Sequence, residues 1–140
     1  MSALHRRRIG RALWIWGPAL VLTAAIFAVS HSSAPPFAGS VPDYWAHMGI
    51  YALLSAAVLH GLQRGDWRNV TLARVVVAVL LSAGYGLTDE YHQAFVPGRT
   101  PSARDVAADV AGGVVGAGGA WVWSIVLAGR RGRRHTSHGS

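Results

Sequence analysis

A chain of 140 residues that is 51% hydrophobic and only 14% charged is not a disordered protein, which needs low hydrophobicity and high charge. It is also poorly suited to a small soluble monomer, whose large surface calls for about 25% charged residues. Thirteen Arg and no Lys against six acids give a net charge of +7, but a nucleic-acid binder would not carry long uncharged runs. The expected partner is therefore the lipid bilayer and not nucleic acid. There is no Cys, which excludes disulfides, zinc ribbons and thiol catalysis.

In chain order, residues 1–11 form a basic N-terminus, and Ala12–Ser30 is uncharged throughout, long enough to cross ~30 Å of hydrocarbon. A second span covers about 44–62, with His47 and His60 near its ends. A third covers about 70–90, with Arg74 snorkelling to the interface. A fourth, rich in Gly, covers about 103–128, and residues 129–140 are a basic tail expected to be disordered. Pro, Gly and Ser cluster in the connections Ser32–Pro42, Gln63–Asn69 and Phe95–Ser102. The expected fold is all-α: a four-transmembrane-helix bundle without a soluble domain.

Eleven of the thirteen arginines fall before the first span, between the second and third, or after the fourth. That alternation predicts that both termini are cytoplasmic. A cleaved signal peptide is the competing reading of the first span, with Ser32-Ser33-Ala34 as its cleavage region. The apolar stretch exceeds the usual 7–15 residues of such peptides, which favours a retained helix.

Five of the six acids (Asp43, Asp89, Glu90, Asp105 and Asp109) then share the outer side. Acids contribute little to topology, so this clustering needs another reason. Asp43, His47 and Tyr51 are spaced i, i+4, i+8 on one face of the second span. Ser82, Gly86, Asp89, Glu90 and Gln93 share an arc of roughly 100° on the third. Asp105, Asp109, Gly112 and Gly116 share a stripe on the fourth. Ionisable groups at membrane depth face a bundle interior or a wet cavity, so the three stripes are expected to meet in an outward-opening pocket.

Each residue also has a purely structural reading. Ser40–Asp43 and Ser102–Asp105 read as capping boxes. Asp109, ~10 Å further along the helix than Ser102 at 1.5 Å per residue, needs a partner or a proton, and Arg99 or Arg104 is the expected partner. Asp43, one turn before His47, is placed to fix its tautomer. His92 near Asp89 is a spare candidate. Gly112 and Gly116 form a GxxxG seam for close helix packing, within the bundle or between the subunits of a homo-oligomer.

The ordered series Asp43-xxx-His47-xxx-Tyr51, then Tyr85-Gly86-xx-Asp89-Glu90-xx-Gln93-xxx-Pro97-Gly98-Arg99-xx-Ser102-xx-Asp105-xxx-Asp109-xx-Gly112, resembles the VanZ-like family of small bacterial membrane proteins. The resemblance runs from Asp43 to about Gly116. It implies a multi-pass protein of the bacterial cytoplasmic (inner) membrane, from a family whose name member is linked to teicoplanin resistance, and it supplies no reaction.

Three functions compete. In the first, the pocket binds a lipid headgroup, a cell-wall precursor or a glycopeptide antibiotic, with Tyr51, Gln93, Arg99, Ser102, Asp105 and Asp109 as ligand-binding candidates and Arg99 pairing with phosphate or carboxylate. In the second, a hydrolase or transferase acts on a lipid-linked substrate, with His47, Asp43, Asp89 and Glu90 as catalytic candidates. A variant of this places a divalent metal on Asp43 and His47, other carboxylates completing its shell. In the third, a proton-coupled transporter component uses Asp109 and His47 as a relay. The residues identify no cofactor.

Overall fold

In hydrocarbon every backbone N–H and C=O must find its partner within the chain, and a helix achieves this segment by segment. The apolar runs accordingly become four α-helices. The structure, a computed structural model, describes residues 3–33 and 43–136, and no strand occurs among them. The helices are α1 (Ala3–Ser30), α2 (Asp43–Leu62), α3 (Leu72–Gln93) and α4 (Ala103–Thr136). Each contains a stretch long and apolar enough to cross a membrane.

The ends differ from expectation in three places. Helix α1 begins at Ala3, so Arg6, Arg7, Arg8 and Arg11 lie on its first turns rather than in a separate leader. Helix α3 starts at Leu72, where Thr71 caps it by accepting a hydrogen bond from the Arg74 N–H on its side-chain oxygen. Helix α4 passes residue 129, where a disordered tail is expected, and continues to Thr136. Arg is a good helix former, so the basic segment extends the helix already nucleated in the bundle. Residues 137–140, and Ser40 of the first capping box, lie outside the described residues.

Helix α2 is the centre of the bundle. It packs most extensively on α4 and also against α1 and α3, whereas α1 and α3 barely touch. Tyr51, Leu54 and Leu59 of α2 are fully enclosed, joined in the core by Ile26, Val75, Ala78 and Ala117. The outward faces are as greasy as the inside: Trp14 is 71% exposed, Leu80 65% and Val115 63%. Such surfaces require a lipid solvent.

Lipid tails compete equally for apolar side chains, so transmembrane helices associate by close packing of small residues. Helices α2 and α4 illustrate this. A Cβ at Gly112 would collide with the Met48 backbone carbonyl, and one at Gly116 with that of Ala52. The GxxxG seam therefore lies inside the chain, against α2.

Adding that single carbon to the seam should be costly. Gly112→Ala and Gly116→Ala are each expected to destabilise by about 1–3 kcal/mol, the usual penalty for overpacking. Gly118→Ala, with open space around it, should be neutral or slightly stabilising, since Ala is the better helix former. Thermal unfolding in detergent micelles checks the opposite signs.

Candidate functional site

The chain's up-and-down course brings the C-terminal ends of α1 and α3 and the N-terminal ends of α2 and α4 to one end of the bundle. The five clustered acids sit here: Asp43 opens α2, Asp89 and Glu90 are in the last turns of α3, and Asp105 and Asp109 are in the first two turns of α4. Ser82, Gly86, Asp89, Glu90 and Gln93 are all buried on α3. The polar arc is thus turned inward.

Asp109 is completely buried, and its partner is neither Arg99 nor Arg104. The His47 Nδ1–H donates to Asp109 Oδ1 at 2.9 Å, across the α2–α4 interface. Asp43, expected to orient His47 from one turn away, makes no hydrogen bond to it; its carboxylate is 58% exposed and lies 3.9 Å from Arg99. The i, i+4 spacing puts two side chains on one helix face, but the seam at Gly112 brings α4 closer still, and Asp109 takes the imidazole. The bond fixes His47 with Nε2 as its free ring nitrogen. Tyr51, one turn below, stacks parallel to the imidazole at 6.2 Å between ring centroids, and its buried hydroxyl has no partner among the described residues. Gly86 faces Asp109, and a Cβ there would strike its Oδ2.

The two acids of α3 are each held by neighbours. Asp89 Oδ2 accepts from Ser30 Oγ at 2.7 Å and from Gln93 Nε2 at 3.0 Å. Glu90 Oε2 accepts the Ser102 backbone N–H at 2.8 Å. That second bond changes the reading of the α4 start. In a capping box Asp105, at the third helical position, would accept this N–H. Glu90 has taken the role from the neighbouring helix, and no hydrogen bond or ion pair engages the Asp105 carboxylate among the described residues.

Arg99 follows a Val96–Arg99 turn closed by an Arg99 N–H to Val96 O bond of 3.1 Å, with Gly98 at a φ of +82°. Pro at the second position and a positive-φ Gly at the third make a type II turn. This turn carries the Arg99 side chain back over the bundle, where it is 10% exposed. Its guanidinium reaches Asp43 Oδ2 only at 3.9 Å and Val29 O at 3.5 Å, and its Nε is buried without a partner among the described residues. Arg104 lies over the Tyr44 ring at 4.1 Å, a cation–π contact.

Between α1 and α2 these groups border a cavity of about 300 Å³. Ala25, Ile26, Val29, Ala46 and Ile50 form its apolar wall, and Ser30, Asp43, His47, Tyr51, Asp89 and Arg99 its polar lining. A mostly apolar hollow with a few convergent polar groups is the usual form of a ligand site. Larger hollows at the opposite end have exposed loop or helix-end side chains such as Arg64, Asp66 and Arg68 at their rims. Donor atoms of Asp43, His47 and Asp105 all lie within 4.8 Å of one another.

Of the residues singled out from sequence, Asp43, His47, Tyr51, Asp89 and Arg99 line the cavity, while Glu90, Gln93, Ser102 and Asp109 support its neighbours. Ser30 was not foreseen. As the last residue of an apolar helix ending at the level of the acids, it carried a signal only in hindsight of the helix ends. His92 turns from Asp89 to the His31 ring, with Nδ1 of His31 and Nε2 of His92 3.3 Å apart beside Phe27.

The Glu90 bond can be tested by geometry-preserving substitution. Glu90→Gln keeps an acceptor for the Ser102 N–H and should retain stability, whereas Glu90→Ala strands that donor and should cost ~1–3 kcal/mol. Thermal unfolding of the two variants in micelles separates them.

No curated protein and no solved structure matches the chain. A protein-family model described as VanZ/LLP1 matches residues 37–126, which takes in α2, α3, the Arg99 turn and α4 through most of its length. The chain is a multi-pass membrane protein that belongs to the VanZ/LLP1 family.

Proposed function

We propose that the protein binds an amphiphile with an anionic, phosphate-type headgroup at the outer face of a bacterial cytoplasmic membrane, both its termini being cytoplasmic. Arg99 carries the reading. It is a nine-tenths buried side chain beside a cavity, and among the described residues its Nε is buried without a partner and its guanidinium has only long contacts to Asp43 and Val29. A buried donor left unpaired is costly, and Arg has the fork geometry for phosphate or carboxylate. The apolar wall from α1 suits the chain of the same ligand. A cell-wall precursor or an amphiphilic glycopeptide antibiotic, as in the teicoplanin-resistance role of the family's name member, is the narrower form of this reading.

A hydrolase or transferase acting on that lipid is the second reading, favoured by the His47–Asp109 pair. A buried carboxylate that holds an imidazole by Nδ1–H leaves Nε2 placed as a general base at the cavity. In that case His47→Gln would abolish turnover while ligand binding persists. A binding protein would show no turnover in either form.

Binding is measured with a fluorescent prenyl monophosphate added to the micelle-purified chain. Arg99→Ala is expected to weaken it at least tenfold and Arg99→Lys nearly as much, because an ammonium lacks the bidentate fork. Both variants should accumulate in membranes normally, since Arg99 makes no close ion pair. Unchanged affinity in both would remove the headgroup reading.

A further inference from the structure

The site poses a charge problem. Five carboxylates face two guanidiniums at this end of the bundle, and Arg104 is engaged over Tyr44. A headgroup carrying negative charge therefore enters a region of its own sign, with only Arg99 to receive it. Repulsion between like charges is strong where the dielectric is low. Either the ligand is not an anion, or a cation accompanies it.

The acids are unequal in availability. Asp89, Glu90 and Asp109 each accept hydrogen bonds from the protein. Among the described residues the Asp43 carboxylate has only the 3.9 Å contact to Arg99, and the Asp105 carboxylate is left unengaged by Glu90's capture of the Ser102 N–H. These two carboxylates are the ones whose donor atoms come within 4.8 Å of each other and of a ring nitrogen of His47. In a tetrahedral shell of bond length ~2.1 Å, donors stand roughly 3.4 Å apart, so small side-chain rotations from separations within 4.8 Å bring these atoms into a shell.

The position of Asp109 adds a feature that surface acids lack. Histidines that bind metal through one nitrogen characteristically donate the other N–H to a carboxylate, which fixes the ring and raises its basicity. The His47 Nδ1–H bond to the buried Asp109 is that arrangement. Beside it stands the unsatisfied Arg99, aimed into the same cavity, which an ion alone would not explain and a phosphate would.

We infer that Asp43, His47 and Asp105 hold a divalent metal ion, with Asp109 positioning His47, and that the ion and Arg99 together receive the phosphate headgroup. One imidazole and two carboxylates suit Zn²⁺ or Mn²⁺. The headgroup step rests on the function proposed above; the ion site does not.

The test uses the full chain in micelles, stripped with chelator and titrated first with Zn²⁺ or Mn²⁺ alone. One ion per chain is expected. Asp43→Asn and Asp105→Asn should each weaken it at least tenfold. Asp109→Asn, with all three ligands intact, should weaken it about 10- to 100-fold. Asp66→Asn, on the α2–α3 loop, should leave it unchanged. Asp43 is 58% exposed, so its variant folds even if those at buried positions do not. Sub-stoichiometric uptake by the stripped native chain, or native affinity retained in both Asp43→Asn and Asp105→Asn, overturns the ion site. The prenyl monophosphate is then added with and without metal, and its affinity is expected to rise at least tenfold with metal. Stoichiometric metal binding with no effect on the phosphate overturns the shared recognition and leaves the ion site standing. Failure of the phosphate to bind under either condition removes the function proposed above.

Discussion

Asp109 lies two turns inside an apolar helix with no exposure, and the arrangement of the bundle follows from how that carboxylate is accommodated. Insertion scales place a central carboxylate at ~2.5–3.5 kcal/mol, so the chain must bring it a donor. The donor is on α2, and reaching it requires the α2 and α4 backbones to approach more closely than ordinary side chains permit. Gly112 provides that approach against Met48, and Gly116 continues it against Ala52. Gly86 on α3 leaves room on the other side of the same carboxylate. Three glycines and one histidine, distributed over three helices, are thus explained by a single buried acid.

The spans were legible because a bilayer imposes length and apolarity directly on the sequence. The inward-facing arcs were legible too, because helical period alone decides which residues share a face. Partner choice was not. Asp43 is four residues from His47 in the chain, and Asp109 is sixty-two away, yet the imidazole bonds to the second. Spacing within one helix is fixed by its geometry, whereas contact between helices depends on rotation and separation that no single span encodes. The same gap hid Glu90 as the acceptor for Ser102 and Ser30 as the donor to Asp89. It also gave Asp105 a capping role that the structure assigns to another helix.

The net charge of +7 is the sum of two populations rather than a property of any surface. Arginines crowd the end that holds the chain termini and the α2–α3 loop, and acids crowd the other. Of the two arginines at the acidic end, one stacks on Tyr44 and the other borders the cavity. A ligand would therefore meet a field opposite in sign to that of the protein as a whole.

Helix direction divides the acids further. Asp43 and Asp105 stand in the first turns of α2 and α4, where the helix dipole stabilises negative charge without help from a side chain. Asp89 and Glu90 stand in the last turns of α3, where the dipole opposes it. Both are held by donors around them: Ser30 of α1, Gln93 of α3 and the Ser102 N–H that begins α4. Their burial ties three helices together and exhausts much of their capacity to accept. Asp43 and Asp105, already favoured by their own helix starts, make no hydrogen bond through their carboxylates among the described residues. Asp109, deeper in α4 and fully buried, is paired with His47 instead, so helix polarity and depth together sort the five acids: three are held by hydrogen bonds, and the two in the first turns of α2 and α4 have none on their carboxylates among the described residues.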